Sequence, residues 1–231
     1  MIIGSGLLAQ AFANYYKERS DVCIYAAGVS NSSSTDPAEF SREKLRLIDA
    51  LQKNKEVDAF VYFGTCSVAD PDAQQTQYVQ HKLAMELIVA AHPNYLILRL
   101  PQVAGCTPNP HTLLNFLYAR IARSEGFSVW QGAYRNIIDI DDVVTLGQLL
   151  IENKTLRKCT VNLANSVGYS MPEIVEEMEQ VVGKPAIYTI VELGRRYEID
   201  VATLLPVLAN TKINFDKYYL NKVLRKYYEK V

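Results

Sequence analysis

The sequence predicts a doubly wound α/β fold, in which buried parallel strands alternate with helices. Three short and almost continuously apolar runs, at residues 22–27, 59–63 and 95–100, predict the strands. Runs of this kind are typical of parallel strands that are buried on both faces. The stretches between these runs carry apolar residues at three-to-four spacing, which predicts amphipathic helices.

The elements follow one another in a regular order. Helices are predicted at residues 7–17, 37–53 and 77–91, and Asp36 before Pro37 predicts an N-cap followed by proline at the first helical position. After residue 108 the alternation loosens. Further helices are predicted at residues 113–124, 141–152, 171–182 and 218–229, with short strands at 137–140 and 160–163.

Composition restricts the classes of partner. The chain has 231 residues, of which 49% are apolar and 21% charged, which is enough material for one well-cored domain. Its formal net charge of −1 and dispersed Lys and Arg leave no basic face for nucleic acid, and no apolar run is long enough for a membrane span. The start of the chain lacks the pattern of a secretory signal, so a cytoplasmic location is expected.

No metal or disulfide framework is predicted. The four cysteines, Cys23, Cys66, Cys106 and Cys159, lie far apart, with no paired spacing and no histidine at the spacing of zinc ligands. The acidic group at Asp139, Asp141 and Asp142 precedes a helical pattern, so it is interpreted as an N-cap with charges that compensate the helix dipole.

A glycine turn at Gly4-Ser5-Gly6-Leu7-Leu8 lies between the first strand and the first helix. Glycine permits a tight turn and a close approach of the backbone to a pyrophosphate, and the helix N-terminus attracts that anion. A turn of this kind also suits a purely structural role. The acidic residue that would hold an adenosine ribose about 20 positions further on has no counterpart, because Asp21 precedes a strand instead of ending one.

A Tyr-Lys pair gives a stronger chemical signal. Tyr78 and Lys82 are four apart on a predicted helix and therefore project from one face. A nearby ammonium is expected to lower the pKa of the phenol toward neutrality, which would make Tyr78 an acid/base group. Thr65 follows the strand at 59–63 at the edge where sites form, and its hydroxyl can bond the reacting oxygen. Chance spacing in a chain with fifteen tyrosines is the competing interpretation.

In this order the motifs resemble the extended short-chain dehydrogenase/reductase family, the NAD(P)-dependent epimerases, dehydratases and ketoreductases of nucleotide sugars. The resemblance rests on the glycine turn, the Ala26-Ala27-Gly28 turn, Thr65 and the Tyr-Lys pair. Residues 98–105, 135–143, 161–164 and 170–174 resemble later family segments in the same order.

The resemblance implies a site and a mechanism. Thr65, Tyr78 and Lys82 would be catalytic, with Lys82 also holding the nicotinamide ribose. NADP or NAD would be bound by Tyr78 and Lys82. The other residues that would bind it are Gly4, Ser5, Gly6, Leu7, Leu8, Ala26, Ala27, Gly28, Pro101 and Val103. The substrate would be a nucleotide sugar that contacts Ser67, Asn109, His111 and Arg135, and a homodimer would form through the helix that carries the Tyr-Lys pair.

The resemblance also implies a division of the chain. Residues 1–108 would form a Rossmann-like cofactor-binding core, and residues 109–231 would form mainly a small α/β substrate lobe, with segments around 137–163 returning to the sheet. The family normally places two more strands between the first helix and the strand at residue 22, and these are missing here. Half of the adenosine pocket would be lost with them. The Asn that often supports the lysine is also not evident, and Glu43 and Lys44 lie nearby instead.

Three functions remain open. The preferred hypothesis is a ketoreductase acting at C4 of a nucleoside-diphosphate 4-keto-6-deoxy sugar for polysaccharide biosynthesis. The alternatives are a nucleotide-sugar epimerase and a non-catalytic cofactor- or sugar-nucleotide-binding protein. His81 is expected to face solvent, and Arg195 and Arg196 are interpreted as a solvated charge pair.

Overall fold

The computed structural model describes residues 1–229 of the chain. The strands in this part are β1 (Ile2–Ile3), β2 (Val22–Tyr25), β3 (Ala59–Thr65), β4 (Tyr95–Leu100), β5 (Gln102–Ala104), β6 (Phe127–Trp130), β7 (Tyr134–Asp139), β8 (Cys159–Asn162), β9 (Gly168–Ser170) and β10 (Tyr188–Val191). The helices are α1 (Leu7–Tyr16), α2 (Pro37–Lys53), α3 (Gln77–Val89), α4 (Leu113–Ala122), α5 (Ile140–Glu152), α6 (Met171–Val182), α7 (Leu205–Leu208) and α8 (Tyr219–Tyr228).

A parallel five-stranded sheet in the order β1-β2-β3-β4-β8 forms the centre of the fold and confirms the predicted α/β class. Successive residues of its strands face opposite sides, as the pleat requires. Val61 and Leu96 join the core on the side of α1 and α5, whereas Tyr62 and Ile97 join the core on the side of α2 and α3. Both faces are buried, which explains the continuous apolar runs of the sequence.

The first strand lies at the edge of this sheet. β1 pairs only with β2 in the described part of the chain, through Ile2 opposite Ile24 and Ile3 opposite Tyr25. No strand continues the sheet beyond β1 within residues 1–229, because α1 leads directly into β2. The carboxyl end of β1 is therefore open on one side.

Local capping sets the helix starts that matter for the site. The carboxylate of Asp36 accepts the N–H of Ala38 at 2.9 Å, and Pro37 begins α2, as predicted. Asp139 accepts the N–H of Asp141 at 2.9 Å and caps α5, which confirms the N-cap interpretation of that acidic group.

The C-terminal part packs smaller sheets and helices over the carboxyl edge of β4. β5, β7 and β9 form a three-stranded sheet, with β5 and β7 parallel and β7 and β9 antiparallel, and β6 pairs with β10. α8 packs against α6, and its Lys226 bonds Asp139 at 2.7 Å while its Tyr227 donates to the same carboxylate at 2.8 Å. These polar contacts fasten the last helix to the start of α5.

Several short elements differ from the sequence-based prediction. β5, β9, β10 and α7 were not predicted, and the strand predicted at 137–140 begins earlier, at Tyr134, and ends at Asp139. β5 and β9 have three residues each, which is too short for alternation or an apolar run to mark them, whereas β10 is rich in β-branched residues and could have been predicted. The division into a core and a lobe stays a prediction, since one apolar cluster runs from Phe12 to Tyr228.

No helix within residues 1–229 has the length and apolar character for a membrane span.

Candidate active site

The site is built at the carboxyl ends of the parallel strands, where three turns converge. The first is the turn from Gly4 to Gly6 between β1 and α1. Gly4 has a φ of +138°, and a Cβ there would lie 2.3 Å from the carbonyl oxygen of Ala26 at the end of β2. Only glycine fits this position, because the left-handed backbone and the close approach both exclude a side chain. Gly4 thus locks the glycine turn onto the Ala26-Ala27-Gly28 turn.

Gly6 leaves open space in front of α1. It is the N-cap residue with φ −78°, and a Cβ on it would have no neighbour within 4 Å. No side chain caps the helix at this end, so its first N–H groups are free for an external acceptor. Leu7 turns inward instead, since its methyl carbons lie 3.0 Å from the position of a Cβ on Gly105. Ser5 and Leu8 complete the turn, and the carbonyl oxygen of Ser5 accepts from Gln10 at 2.9 Å.

Thr65 and Tyr78 lie close together at the carboxyl end of β3. Thr65 is the last residue of β3, and its hydroxyl accepts the N–H of Ser67 at 3.1 Å, which fixes the following turn. Tyr78 lies in the first turn of α3, close to the Thr65 hydroxyl. Burial is the main cause that raises the pKa of Tyr78 to about 12, with the charge of Glu43 adding to it and the interaction with Thr65 opposing it. The phenol is therefore protonated at neutral pH.

The prediction that Lys82 lowers the pKa of Tyr78 is wrong for this structure. Its ammonium does not bring the pKa of Tyr78 toward neutrality here, because Lys82 is paired with another group. The Lys82 side chain is 4% exposed, its Nζ lies 3.3 Å from a carboxylate oxygen of Glu43, and it stands 4.5 Å from the centre of the Tyr62 ring. Burial lowers the pKa of Lys82, and Glu43 opposes this.

His81 is also placed differently from the expectation. Its side chain is buried, stacks on Phe40 at 4.5 Å between ring centres, and bonds Glu43 through Nε2 at 2.9 Å. It does not face solvent. Glu43 was noted near the lysine without a role. The sequence did contain a signal for a role of Glu43. This residue lies on the apolar stripe of α2 with Leu47 and Ala50, where a carboxylate needs buried partners.

Two further cavities flank this centre. One, of about 160 Å³, is lined by the Ala27-Gly28-Val29 turn and by polar residues of α2, with Arg42 and Arg46 among them. The second, of about 350 Å³, lies between β7 and the segment after β10. Arg135, Arg196 and Tyr197 line it. The guanidinium of Arg135 also lies 3.7 Å from the carboxylate of Asp70. Asp70 ends the turn that follows Thr65, so this cavity lies near Thr65.

Tyr197 is a site candidate that the sequence did not single out. Its neighbour Arg196 is exposed, as the interpretation of a solvated charge pair expects, and its guanidinium lies 5.3 Å from the centre of the Tyr134 ring. Its neighbour Arg195 instead bonds Asp72 at the surface, at 2.6 Å. No motif marks this segment, because its approach to Arg135 depends on the folding of distant strands.

The remaining predicted residues lie around the same edge of the sheet. Pro101 and Val103 are partly buried between β4 and the end of β5. Asn109 reaches across to Ser30, with its amide nitrogen 3.4 Å from the hydroxyl oxygen. His111 is exposed, and only its backbone N–H is bonded, to Asn109 at 3.0 Å, within the described residues. The roles of Pro101, Val103, Ser67, Asn109 and His111 stay predictions.

The residues present fit a dinucleotide. The open space at Gly6 and the uncapped N–H groups of α1 suit a pyrophosphate, and Ala26 to Gly28 present a bare backbone turn beside it. The adenosine side is only half enclosed, because β1 is the sheet edge. Three features define the class of protein: the two glycine-containing turns at residues 4–6 and 26–28, the contact between Thr65 and Tyr78, and the buried Lys82. They are those of a nicotinamide-dependent enzyme of the short-chain dehydrogenase/reductase type.

Comparison with known proteins gives the family. Residues 5–164 match the model of the NAD dependent epimerase/dehydratase family, and the chain belongs to that family. This confirms the resemblance and the NAD(P) cofactor class. No curated protein matches the chain significantly at the level of sequence.

Solved structures share the fold at low sequence identity. One is the UDP-glucuronic acid 4-epimerase from Bacillus cereus in complex with UDP-glucuronic acid and NAD, with a TM-score of 0.73, 18% identity and coverage of 96% of this chain and 77% of that one. A dTDP-glucose 4,6-dehydratase from Bacillus anthracis in complex with NAD has a TM-score of 0.70 and 15% identity, covering 97% and 78%. RMD from Pseudomonas aeruginosa, complexed with NADPH, has a TM-score of 0.70 and 18% identity, covering 96% and 86%.

Proposed function

We propose that the chain reduces a keto group at C4 of a nucleoside-diphosphate 4-keto-6-deoxy sugar with NADPH or NADH, in the biosynthesis of a polysaccharide. The observation that carries this is the protonated Tyr78, which interacts with the Thr65 hydroxyl at the carboxyl end of β3. Reduction of a ketone requires a proton donor at the oxygen, and a phenol with a pKa of about 12 holds its proton at neutral pH.

The proposed reaction divides the work among few groups. Tyr78 donates its proton to the carbonyl oxygen, and the Thr65 hydroxyl orients that oxygen. The bound nicotinamide supplies the hydride to the carbonyl carbon. The carbonyl therefore gains a hydride at carbon and a proton at oxygen and becomes a secondary alcohol. Lys82 holds positive charge beneath the Gly28 turn, where a Cβ would meet its Nζ at 2.8 Å.

The substrate diphosphate is proposed to bind in the larger cavity. Arg135 and Arg196 present guanidinium groups there, and such groups bind phosphate oxygens through paired hydrogen bonds. Tyr134 and Tyr197 supply aromatic surface for the base. Ser67, Asn109 and His111 remain the proposed contacts of the sugar.

Epimerisation is the second candidate, because epimerases and dehydratases define the family. The open edge at β1 favours reduction over it. A reductase must exchange its cofactor at each turnover, whereas an epimerase keeps the cofactor bound and regenerates it. A half-enclosed adenosine site suits exchange, since fewer contacts hold that end of the cofactor.

The test is a turnover assay with the purified protein. NADPH or NADH with a panel of 4-keto-6-deoxy sugar nucleotides should give oxidised cofactor and a secondary alcohol in equal amounts. The Tyr78→Phe variant serves as the control and should lose most of the turnover. Tightly bound NAD that co-purifies and interconverts sugar epimers without net consumption would favour the epimerase. The reductase is ruled out if no keto sugar of the panel consumes cofactor.

The site also suggests where and in what form the enzyme works. We propose a cytoplasmic enzyme, because nucleotide sugars and reduced nicotinamide are cytoplasmic metabolites and the four cysteines are free thiols. We propose a homodimer through α2 and α3. Leu45 on α2 and Leu87 on α3 are 69% and 77% exposed, and apolar side chains this exposed on adjacent helices mark a contact surface.

A further inference from the structure

Glu43 is a buried carboxylate whose lone pairs are fully used. Its side chain is 1% exposed. One oxygen accepts the backbone N–H of Val29 at 2.8 Å and bonds Nε2 of His81 at 2.9 Å. The other accepts the hydroxyl of Tyr62 at 2.8 Å and the ammonium of Lys82 at 3.3 Å. The four donors come from a loop, from β3 and from α3.

These contacts define the charge state of the cluster. Burial raises the pKa of Glu43, but the ammonium of Lys82 and the hydrogen bonds outweigh it, and the pKa is lowered overall. An ionised carboxylate only accepts hydrogen bonds, so His81 must donate its Nε2–H, which sets the tautomer of the ring. Glu43 is therefore an anion built into the core beside the Tyr-Lys pair.

Lys82 depends on this anion for its own charge. Glu43 is the hydrogen-bond acceptor of its Nζ within residues 1–229, and the Tyr62 ring adds a cation–π contact. Glu86 contributes at longer range. A buried ammonium without a counter-ion loses its proton, because desolvation disfavours the charged form. If Glu43 were neutral, Lys82 would lack most of what keeps it protonated.

We propose that Glu43 is the positioning residue of the active site, holding Lys82 protonated and in place under the Gly28 turn. Both groups adjoin this turn, since a Cβ on Gly28 would lie 2.9 Å from a carboxylate oxygen of Glu43 and 2.8 Å from Nζ of Lys82. The inference rests on the proposed function for its kinetic readout only.

Several other charged or titratable groups face this cluster. Strands β2 and β3 contribute Tyr25 and Tyr62, α3 contributes Tyr78, His81, Lys82 and Glu86, and α2 contributes Glu39, Arg42 and Arg46 beside Glu43. Of these, Tyr62, His81 and Lys82 bond the Glu43 carboxylate directly. The Glu43→Gln variant removes the charge while keeping nearly the same volume, and it isolates the electrostatic part of the role.

The experiment follows the lysine itself. Protein carrying ¹³C at the lysine ε-carbons is titrated by NMR, and the Lys82 signal is identified by its absence from Lys82→Met. In Glu43→Gln the Lys82 titration should move to lower pH by about one unit or more. Glu56→Gln, at an exposed glutamate, is the matched control and should leave it unchanged. An unchanged Lys82 titration in Glu43→Gln overturns the proposal.

Turnover gives an independent readout. In Glu43→Gln, kcat should fall about tenfold or more, and the alkaline limb of the pH–rate profile should move to lower pH with Lys82. A loss of kcat with an unmoved limb would mean a merely structural role. The titration needs no substrate, so an inactive wild-type protein would refute the proposed function and leave this inference testable.

Folding of the variant is covered by a paired substitution. Where Glu43→Gln is too unstable to titrate, Glu43→Gln/Lys82→Met removes both charges and should regain much of the lost thermal stability. A double variant no more stable than Glu43→Gln contradicts a counter-ion role.

Discussion

Thr65 joins three structural tasks in one side chain. It ends β3, it accepts the N–H of Ser67 to shape the next turn, and it interacts with the Tyr78 phenol. The first two tasks can be served by any hydroxyl residue, whereas the third places that hydroxyl at the phenol. Thr65 therefore links the position of the end of β3 to the pKa of Tyr78, the proposed acid.

Replacing Thr65 with Val should impair the proposed acid. Loss of the hydroxyl removes the contact that holds the pKa of Tyr78 down, so that pKa should rise above about 12. It also removes a donor to the reacting oxygen, and we expect kcat to fall roughly 100-fold, within the range for a lost catalytic hydrogen bond. Thr65→Ser keeps the hydroxyl and should retain most of the activity. Equal losses in both variants, measured by steady-state kinetics, would contradict the role of the hydroxyl.

The lowered pKa of Glu43 predicts a pH dependence of stability. For a carboxylate with a depressed folded-state pKa, the stabilisation is complete above the unfolded value of about 4.3 and is lost as the pH falls through the folded value. The Tm difference between the wild type and Glu43→Gln should therefore be largest near neutral pH and shrink below about pH 4.3. Thermal unfolding monitored by circular dichroism at a series of pH values measures this. A Tm difference that does not depend on pH would refute it.

The turn between β1 and α1 shows how one element serves the fold and the ligand with different residues. Gly4 lies against the backbone of Ala26, while Gly6 borders open space. The two glycines look alike in sequence. Their surroundings assign packing to the first and room for a pyrophosphate to the second.

Alanine at each glycine should separate the two roles. Gly4→Ala combines a φ of +138° with a 2.3 Å clash and should lower the free energy of unfolding by about 3 kcal/mol or more. Gly6→Ala should cost less than about 1 kcal/mol, because only the N-cap preference is lost. Its new methyl group would fill the proposed pyrophosphate space and weaken NAD(P) binding about tenfold or more. Urea unfolding and calorimetric titration with NADH and NADPH measure both. Unaltered binding by Gly6→Ala would count against the proposed cofactor position.

For the molecule as a whole, the short sheet has a consequence for the cofactor. β1 is the edge strand, so the carboxyl edge that would enclose an adenosine ends there. The second sheet and α8 are nonetheless fastened to the core through Asp139 and its partners. The side of the sheet proposed to hold the adenosine is therefore open.

The proposed dimer is a second property of the whole molecule. Leu87→Glu places a charge at the most exposed leucine of α3 and should shift the protein to monomers, because burying an unpaired carboxylate in an interface is costly. Leu193→Glu, at a leucine that is 51% exposed after β10, is the matched control and should leave the dimer intact. Sedimentation velocity over a concentration series measures both. A wild-type protein that is monomeric throughout would contradict the proposal.

Much of this molecule could be predicted from the chain alone. The parallel strands, the start of α2 at Pro37, the glycine turn and the pair formed by Tyr78 and Lys82 all follow from local rules, because burial on both faces, capping and helical spacing leave marks over a few residues. The order of these motifs was enough to predict the family. The short strand β9 left no such mark, whereas the β-branched run of β10 could have been recognised.

What the chain alone could not supply is the set of long-range partners. Glu43 meets Lys82 across 39 positions, and Arg196 joins Arg135 only because the segment after β10 folds back along β7. These meetings change the chemistry, since the ammonium expected to act on Tyr78 is paired with Glu43 and the phenol keeps its proton. Charge and desolvation act through space, so residue types and spacing predicted candidate reacting groups, whereas the packed structure determines the partners that set their charges.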